Sequence, residues 1–341
     1  MRKKLSKLNL KIVESFKIFG PIALAVIIAG FVVMAIMGMN LGLDFTGGAE
    51  IQVNLGVNST NEVQTVKEYI EKDIIEANDL VLGAASRTAK EDDGTYSLTF
   101  RLAYHMKGKK NVNQEEYLDF VRNDIKDKIT KYIEDNYDSE FTSEDVLVYD
   151  VGASTASRQL KNAIFATAIA IVAMLIYIII RFQLASGIAA VIALLHDVLV
   201  MTALTTIFRI EVNSTFIAAI ITIIGYSINA TIVLFDRIRE YTKSESNASL
   251  TDTQIVNKSI ADTLSRTIYT TVTTLVMILL LAILGVSSIR EFALPIIFGL
   301  VAGTYSSVLL SGSFWVMLRK VIKPKKNKKS GYAAIAKSKA E

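Results

Sequence analysis

His196 and Asp197 stand side by side near the middle of residues 184–208, a run with no other ionisable side chain. A carboxylate at the centre of a membrane helix costs about 2.5–3.5 kcal/mol to insert, so it is rare without a use. Two uses are open: a proton-carrying or ion-pairing group facing the interior of a helix bundle, with the imidazole as relay partner, or a structural hydrogen bond between helices. Adjacent residues on a helix do not face each other, so His196 and Asp197 need not bond to one another.

Further along, Gly225, Asn229, Ile232 and Asp236 fall on one helical stripe, with Ser227, Ala230 and Thr231 beside it. Small and hydrogen-bonding residues in that pattern suit a tightly packed helix interface. Asp236, Arg237, Arg239 and Glu240 end the apolar run, either as a helix-end charge cluster or as an ion-pair clamp. Arg266, just ahead of the next apolar run, can snorkel to the membrane surface or reach inward to pair an acid. Gly299 and Gly303 form a Gly-x-x-x-Gly pair for close helix approach, and Trp315 reads as an interface anchor.

The remaining chemistry is sparse. With no cysteine and two histidines, the chain has no disulfide scaffold, no thiol nucleophile and no Cys-based metal site. Neither His-Glu-x-x-His nor Gly-x-Ser-x-Gly occurs, so a membrane-embedded hydrolase finds no support. His105, beside Lys107, Lys109 and Lys110, reads as a surface loop residue. No catalytic residue, cofactor, metal or nucleic-acid partner is expected.

The elements that must position these residues are membrane helices. Of the 341 residues 51% are hydrophobic, and they gather into six blocks, 19–38, 163–180, 184–208, 214–235, 268–284 and 292–318. About 20 apolar residues in a helix span the roughly 30 Å hydrocarbon core, which excludes an ordinary soluble protein. The first block follows a basic stretch but is longer than a signal-peptide core and lacks a small-x-small cleavage pattern, so it reads as a retained helix.

Charge gives the expected orientation. Residues 1–18 carry six Lys/Arg against Glu14, and residues 319–341 carry nine against Glu341. The positive-inside rule places both basic ends in the cytoplasm, as an even number of spans requires, with the tail held near anionic lipid. Residues 39–155 hold 23 Asp/Glu against 12 Lys/Arg and are expected outside. Their pattern gives a strand over 49–55, a helix over 61–77, strands over 81–89 and 95–103 around a turn at Asp92-Asp93-Gly94, a helix over 114–135 and a strand over 145–151. That βαββαβ order predicts a ferredoxin-like α+β domain between helices one and two of a six-helix membrane protein, with 156–318 as a five-helix membrane domain.

Several segments together resemble the SecF family, a branch of the RND transporter superfamily that assists bacterial protein export. They are Gly42-Leu43-Asp44-Phe45-Thr46-Gly47-Gly48, Ala193-Leu194-Leu195-His196-Asp197-Val198, Ile224-Gly225-Tyr226-Ser227-Ile228-Asn229, Asp236-Arg237-Ile238-Arg239-Glu240 and Ser265-Arg266-Thr267. The resemblance implies a subunit of the bacterial cytoplasmic membrane. It would work with a SecD-type partner beside the SecYEG channel and the SecA motor, on an unfolded secretory polypeptide, drawing on a proton or sodium gradient. SecF proteins usually read Asn-Asp-Thr in the fourth helix, with that aspartate central to proton use, whereas here the run is Asn229-Ala230-Thr231. The carboxylate must then be Asp197 or come from the partner, and Arg266 matches the arginine that the family places near this acid.

Two rival readings remain. A structural subunit that carries no ion is favoured by Ala230. A half-size RND exporter of lipids or drugs predicts a large apolar pocket in an exterior domain that is in fact highly charged. Whatever the family, Gly47 and Gly48 let the chain turn sharply from the first helix into the first strand.

Overall fold

A computed structural model describes residues 11–55, 60–83, 86–90, 94–107, 113–244, 247 and 249–322. Residues 1–10, Asp92, Asp93, Lys109, Lys110, the side chain of His105 and the tail from 323 lie outside the described residues.

Alternation of apolar and polar residues builds the sheet domain. Strand β1 (Gly48–Leu55) is central and pairs antiparallel with β4 (Tyr96–Met106) and β5 (Val146–Val151). On β1 Ala49, Ile51, Val53 and Leu55 face one way, and on β4 Leu98, Phe100 and Leu102 do the same, all fully buried. Helix α3 (Thr60–Tyr69) and helices α4 (Gln114–Phe120) and α5 (Lys126–Asn136) cover that face with Val63, Val66, Tyr117, Ile129 and Ile133.

The expected strand over 81–89 is broken into β2 (Leu80–Leu82) and β3 (Arg87–Lys90), both on β4. Leu82 pairs with Leu102, but Arg87 pairs with Thr99 instead of the Ser97 that continuous register gives, so the inserted residues bulge out of the ladder. With that strand counted as one, the order β2-β4-β1-β5 is the split βαβ arrangement. Each expected long helix also contains a widened π turn, at Ile70–Ile75 and Val121–Ile125, which keeps Ile70, Ile74, Val121 and Ile125 on the buried side.

Among the described residues six helices are long and apolar enough to cross a membrane. They are α1 (Phe16–Met37), α6 (Ala153–Arg181), α7 (Leu184–Ile207), α8 (Ser214–Lys243), α9 (Asp252–Leu284) and a last span made of α10 (Ser287–Tyr305), a π turn at Ser306–Leu310 and α11 (Ser311–Val321). Several run past their apolar blocks: α6 starts ten residues before residue 163, and α9 starts at a capping box formed by Thr251 and Gln254. Apolar runs mark what suits hydrocarbon, while helix formers and caps decide where the ladder stops. Helices α7, α8 and the last span form the packed centre, and α1, α6 and α9 turn side chains such as Phe165, Ile180 and Met277 outward.

Between α1 and β1 the chain makes a single helical turn, α2 (Leu43–Thr46), then bends at Gly47 (φ +66°) and Gly48 (φ +132°). A Cβ on Gly48 would lie 2.1 Å from the Leu102 carbonyl oxygen, so the turn needs glycine for space as well as for dihedral angle. Phe45 is buried in the cluster that holds Val212 and Phe216, and Thr46 Oγ1 donates to the Gly42 carbonyl at 3.1 Å. Asp44 accepts from the Ser214 backbone N–H at 3.0 Å, a capping contact at the start of α8.

Candidate functional site

Asp197 lies midway along α7 and is completely buried. Ser227 on α8 donates its hydroxyl to Oδ2, and His196 Nδ1 lies 2.9 Å from Oδ1. Helix geometry left that last bond open, and the structure makes it. Nδ1 is only two bonds beyond Cβ, so an imidazole packed into the same pocket reaches the next carboxylate, whereas longer side chains on an open face diverge.

The third wall is α10. A Cβ on Gly303 would stand 3.3 Å from Ser227 Cβ and 3.5 Å from Asp197 Oδ2, and one on Gly299 would fall 2.4 Å from Ile223 Cγ1. The glycine pair thus lets the backbone of the last span approach the carboxylate, and α8 is the partner the motif called for. The His196 ring stacks on Tyr305 at 6.1 Å, whose hydroxyl donates to the Phe19 carbonyl at 2.6 Å. His196 Nε2 is buried with no hydrogen-bond partner among the described residues. A π turn follows Gly303 at Ser306–Leu310, a form common at functional sites. Among the described residues no lysine or arginine pairs with Asp197, so the group is a buried carboxyl in contact with a hydroxyl and an imidazole, an arrangement that can take up and release one positive charge.

The other intramembrane candidates do not join it. Asn229 is exposed and Gly225 has nothing within 4 Å of its added Cβ, so this part of the stripe faces outward, whereas Ile232 packs half-buried against the core and Asp236 reaches a neighbouring helix. Arg266 is exposed and pairs with no acid among the described residues, so the inward reading is not realised here. Ala230 is half-buried and Thr231 buried.

At the far end from the sheet domain the charge cluster is a clamp across three helices. Arg181 of α6 holds both oxygens of Asp236, at 2.8 and 2.6 Å. Arg237 holds Asp262 of α9 at 3.2 and 2.6 Å, and Glu240 at 2.7 Å. Tyr241 also donates to Asp262, and its ring lies under Arg237 at 4.6 Å. Arg239 is exposed and joins none of these pairs among the described residues. Trp315 is buried and donates to Ser186 Oγ at 3.0 Å, so it is a packing residue between spans and no interface anchor.

A second polar cluster joins the sheet domain to the bundle. Arg101 of β4 bonds Glu50 at 2.8 Å and also Glu211, in the loop between α7 and α8. Arg87 of β3 reaches Glu211 at 3.0 Å and Glu291 of α10, which also accepts from Asn213 at 3.1 Å. Burial pushes the Glu211 carboxyl above the usual glutamate value, against the pull of Arg101 and Arg87 and with help from Glu291. For Arg101 burial acts to lower the guanidinium, but Glu211 and Glu50 outweigh it and raise it. A cleft of about 860 Å³ lies between the open sheet face and the helix ends, lined by Gln52, Thr99 and Tyr149 as well as these charges.

Sequence reasoning passed over this junction and Asp262. One signal was present: Thr99 and Arg101 alternate with buried Leu98, Phe100 and Leu102, marking a polar sheet face. What that face meets is set by the tertiary fold.

Comparison with known proteins decides the family. The description "Protein export membrane protein SecD/SecF, C-terminal" matches residues 130–321, and "SecD/SecF GG Motif" matches 32–56, which includes Asp44 to Gly48. The protein translocase subunit SecF of Alicyclobacillus acidocaldarius is 32% identical over 310 residues, 90% of this chain and 92% of that protein. The chain belongs to the SecD/SecF family. SecDF of Bacillus subtilis is 34% identical over 301 residues, but the chain spans only 37% of its length. A crystal structure of SecDF from Thermus thermophilus superposes with a TM-score of 0.73 at 28% identity, covering 92% of this chain and 39% of that one. The SecD/SecF relationship thus extends over the membrane part, the turn into the sheet domain and the sheet domain itself.

Proposed function

We propose that the protein is a SecF-type accessory subunit of the Sec translocase, acting with a SecD-type partner to promote protein export across the bacterial cytoplasmic membrane. Family membership supports the assignment, and the buried Asp197–Ser227–His196 site is the observation that supports ion use by this subunit. In this reading both termini are cytoplasmic, the sheet domain lies outside and engages the emerging unfolded polypeptide, and SecYEG and SecA are neighbours. The protein is a transport accessory with no bond-making chemistry of its own.

The energetics are adequate. One charge crossing about 100 mV releases about 2.3 kcal/mol, a roughly 50-fold bias on a two-state domain equilibrium. Proton or sodium binding at Asp197 is that charge. The outward Asn229 and Arg266 then face the SecD-type subunit.

A scaffold that stabilises its partner without carrying an ion is the second reading, favoured by Ala230 in place of a carboxylate. An exporter of apolar cargo is disfavoured, since the cleft beneath the sheet is lined by charged and polar side chains. The test is a pulse-chase of Sec-dependent secretion in cells depleted of the protein and complemented with wild type or Asp197→Asn at matched levels. Slowed export with the substitution supports ion use at Asp197. Normal export assigns this subunit the scaffold role, and no slowing on depletion removes the Sec assignment.

A further inference from the structure

We infer that Arg87, Arg101, Glu211 and Glu291 are positioning residues that carry the state of the Asp197 site to the sheet domain. This rests on the reading of Asp197 as the ion-carrying group and adds the route by which its state leaves the membrane.

The argument begins with shared elements. Asp197 is on α7, its hydrogen-bond donor Ser227 on α8 and the glycine beside both, Gly303, on α10. The domain-side ends of the same three helices carry the acids of the junction: Glu211 sits in the α7–α8 loop and Glu291 in the first turns of α10. From Asp197 to the end of α7 is about 15 Å, and from Gly303 back to Glu291 about 18 Å, at 1.5 Å per residue. Any change in how α7, α8 and α10 pack around the carboxyl therefore displaces the two acids relative to each other.

The loop holding Glu211 is stiff enough to pass that displacement on. Asn213 caps α8 through the Thr215 and Phe216 N–H groups at 3.1 and 3.2 Å. Val212 exchanges backbone bonds with the α1–α2 segment, donating to the Asn40 carbonyl at 2.8 Å and accepting from the Gly42 N–H at 2.9 Å. A side chain at Gly42 would strike Glu211 Oε1, at 2.4 Å from the added Cβ.

On the other side, each of the four charges has two partners, and Arg101 and Glu211 are more than nine-tenths buried. Removing one member strands a buried charge, so the cluster holds or parts as a unit. Two covalent threads, at residues 38–47 and at Gly152, also attach the domain, the first of them packed on the bundle through Phe45. The ion pairs are a third attachment, and unlike the threads they can part and rejoin.

The absence of native cysteine makes the test clean. Gln52→Cys places one thiol in the cleft, and its maleimide labelling rate is read in native membranes with the partner present. Four versions are compared: otherwise wild type, Asp197→Asn, Glu211→Gln and both, with export measured in parallel. Arg87→Gln, on the more exposed side of the junction, replaces Glu211→Gln if that variant is poorly produced. With the junction intact Asp197→Asn is expected to change labelling by about fivefold or more, and with the junction cut the same substitution changes nothing further. An equal response with and without the junction, or slowed export with no labelling change, overturns the inference and leaves the reading of Asp197 standing. A junction-dependent labelling change with normal export upholds the route and removes the export role of Asp197, and no effect on either removes both.

Discussion

Asp197 and Asn229 are both polar residues in apolar, membrane-length helices, and the fold treats them in opposite ways. Asp197 is enclosed by three helices and held by Ser227 and His196. Asn229, with Gly225 on the same stripe, faces outward and has no partner among the described residues. Lipid offers no hydrogen bonds, so an outward amide calls for a partner from outside the chain, while Arg266, just ahead of its apolar run, can also snorkel to the membrane surface. The difference separates polar groups that this chain satisfies by itself from those it leaves without a partner of its own.

The largest effect expected from probing that difference is at the glycines. Gly299→Val drives side-chain atoms into Ile223 and should lower the thermal midpoint of the purified chain in detergent by the equivalent of about 1–3 kcal/mol or more. Gly225→Val meets open space and should leave the midpoint unchanged while weakening co-purification of the SecD-type partner. Equal destabilisation by both would erase the distinction.

Next is Asp197→Ala, which leaves the Ser227 hydroxyl and His196 Nδ1 buried without their hydrogen-bond partner, at a cost of about 1–3 kcal/mol. Asp197→Asn keeps an acceptor and should unfold at a higher temperature than the alanine variant. Asn229→Leu comes third: the isolated chain should change by less than about 0.5 kcal/mol, yet retain less partner on affinity purification from membranes. Undiminished retention would show that the covered face lies elsewhere.

The smallest effect is with pH at the junction. Burial raises Glu211, so the folded chain binds this proton more tightly than the unfolded one. Its own contribution to folding is then present below the unfolded value and is lost as pH rises through the folded one. The thermal midpoint of the wild-type chain relative to Glu211→Gln should therefore fall as pH rises through a value above the ordinary glutamate figure of about 4.3, and an unchanged difference across that range would show that Glu211 is not raised.

Much of this was legible in the sequence, for identifiable reasons. Six apolar blocks and a period-two alternation around Phe100 follow from local pattern, and the six spans and the split βαβ sheet are what the structure shows. The importance of Asp197 was legible because a lone carboxyl in an apolar run is conspicuous. Its partners were not, since pairing Ser227 with Asp197 depends on how α7 and α8 are rotated. Trp315 was misread because aromatic residues near span ends serve equally as anchors and as packing, and only the position of Ser186 decides. The broken strand at β2 and β3 and the three π turns each involve a local insertion whose effect on register no periodicity reveals.

The bridge between Leu41 and Val212 has a consequence for how the protein is made. Its two strands of chain are 171 residues apart, a delay of roughly 10–30 seconds at ordinary synthesis rates. During that time the first helix and the whole sheet domain exist with no floor beneath them, and Arg101 and Glu50 meet water where Glu211 will later sit. A domain that folds in that interval does so with its polar face wet. The hydrophilic character of that face, which in the finished molecule serves attachment, also keeps the nascent chain soluble until the rest of the membrane part arrives.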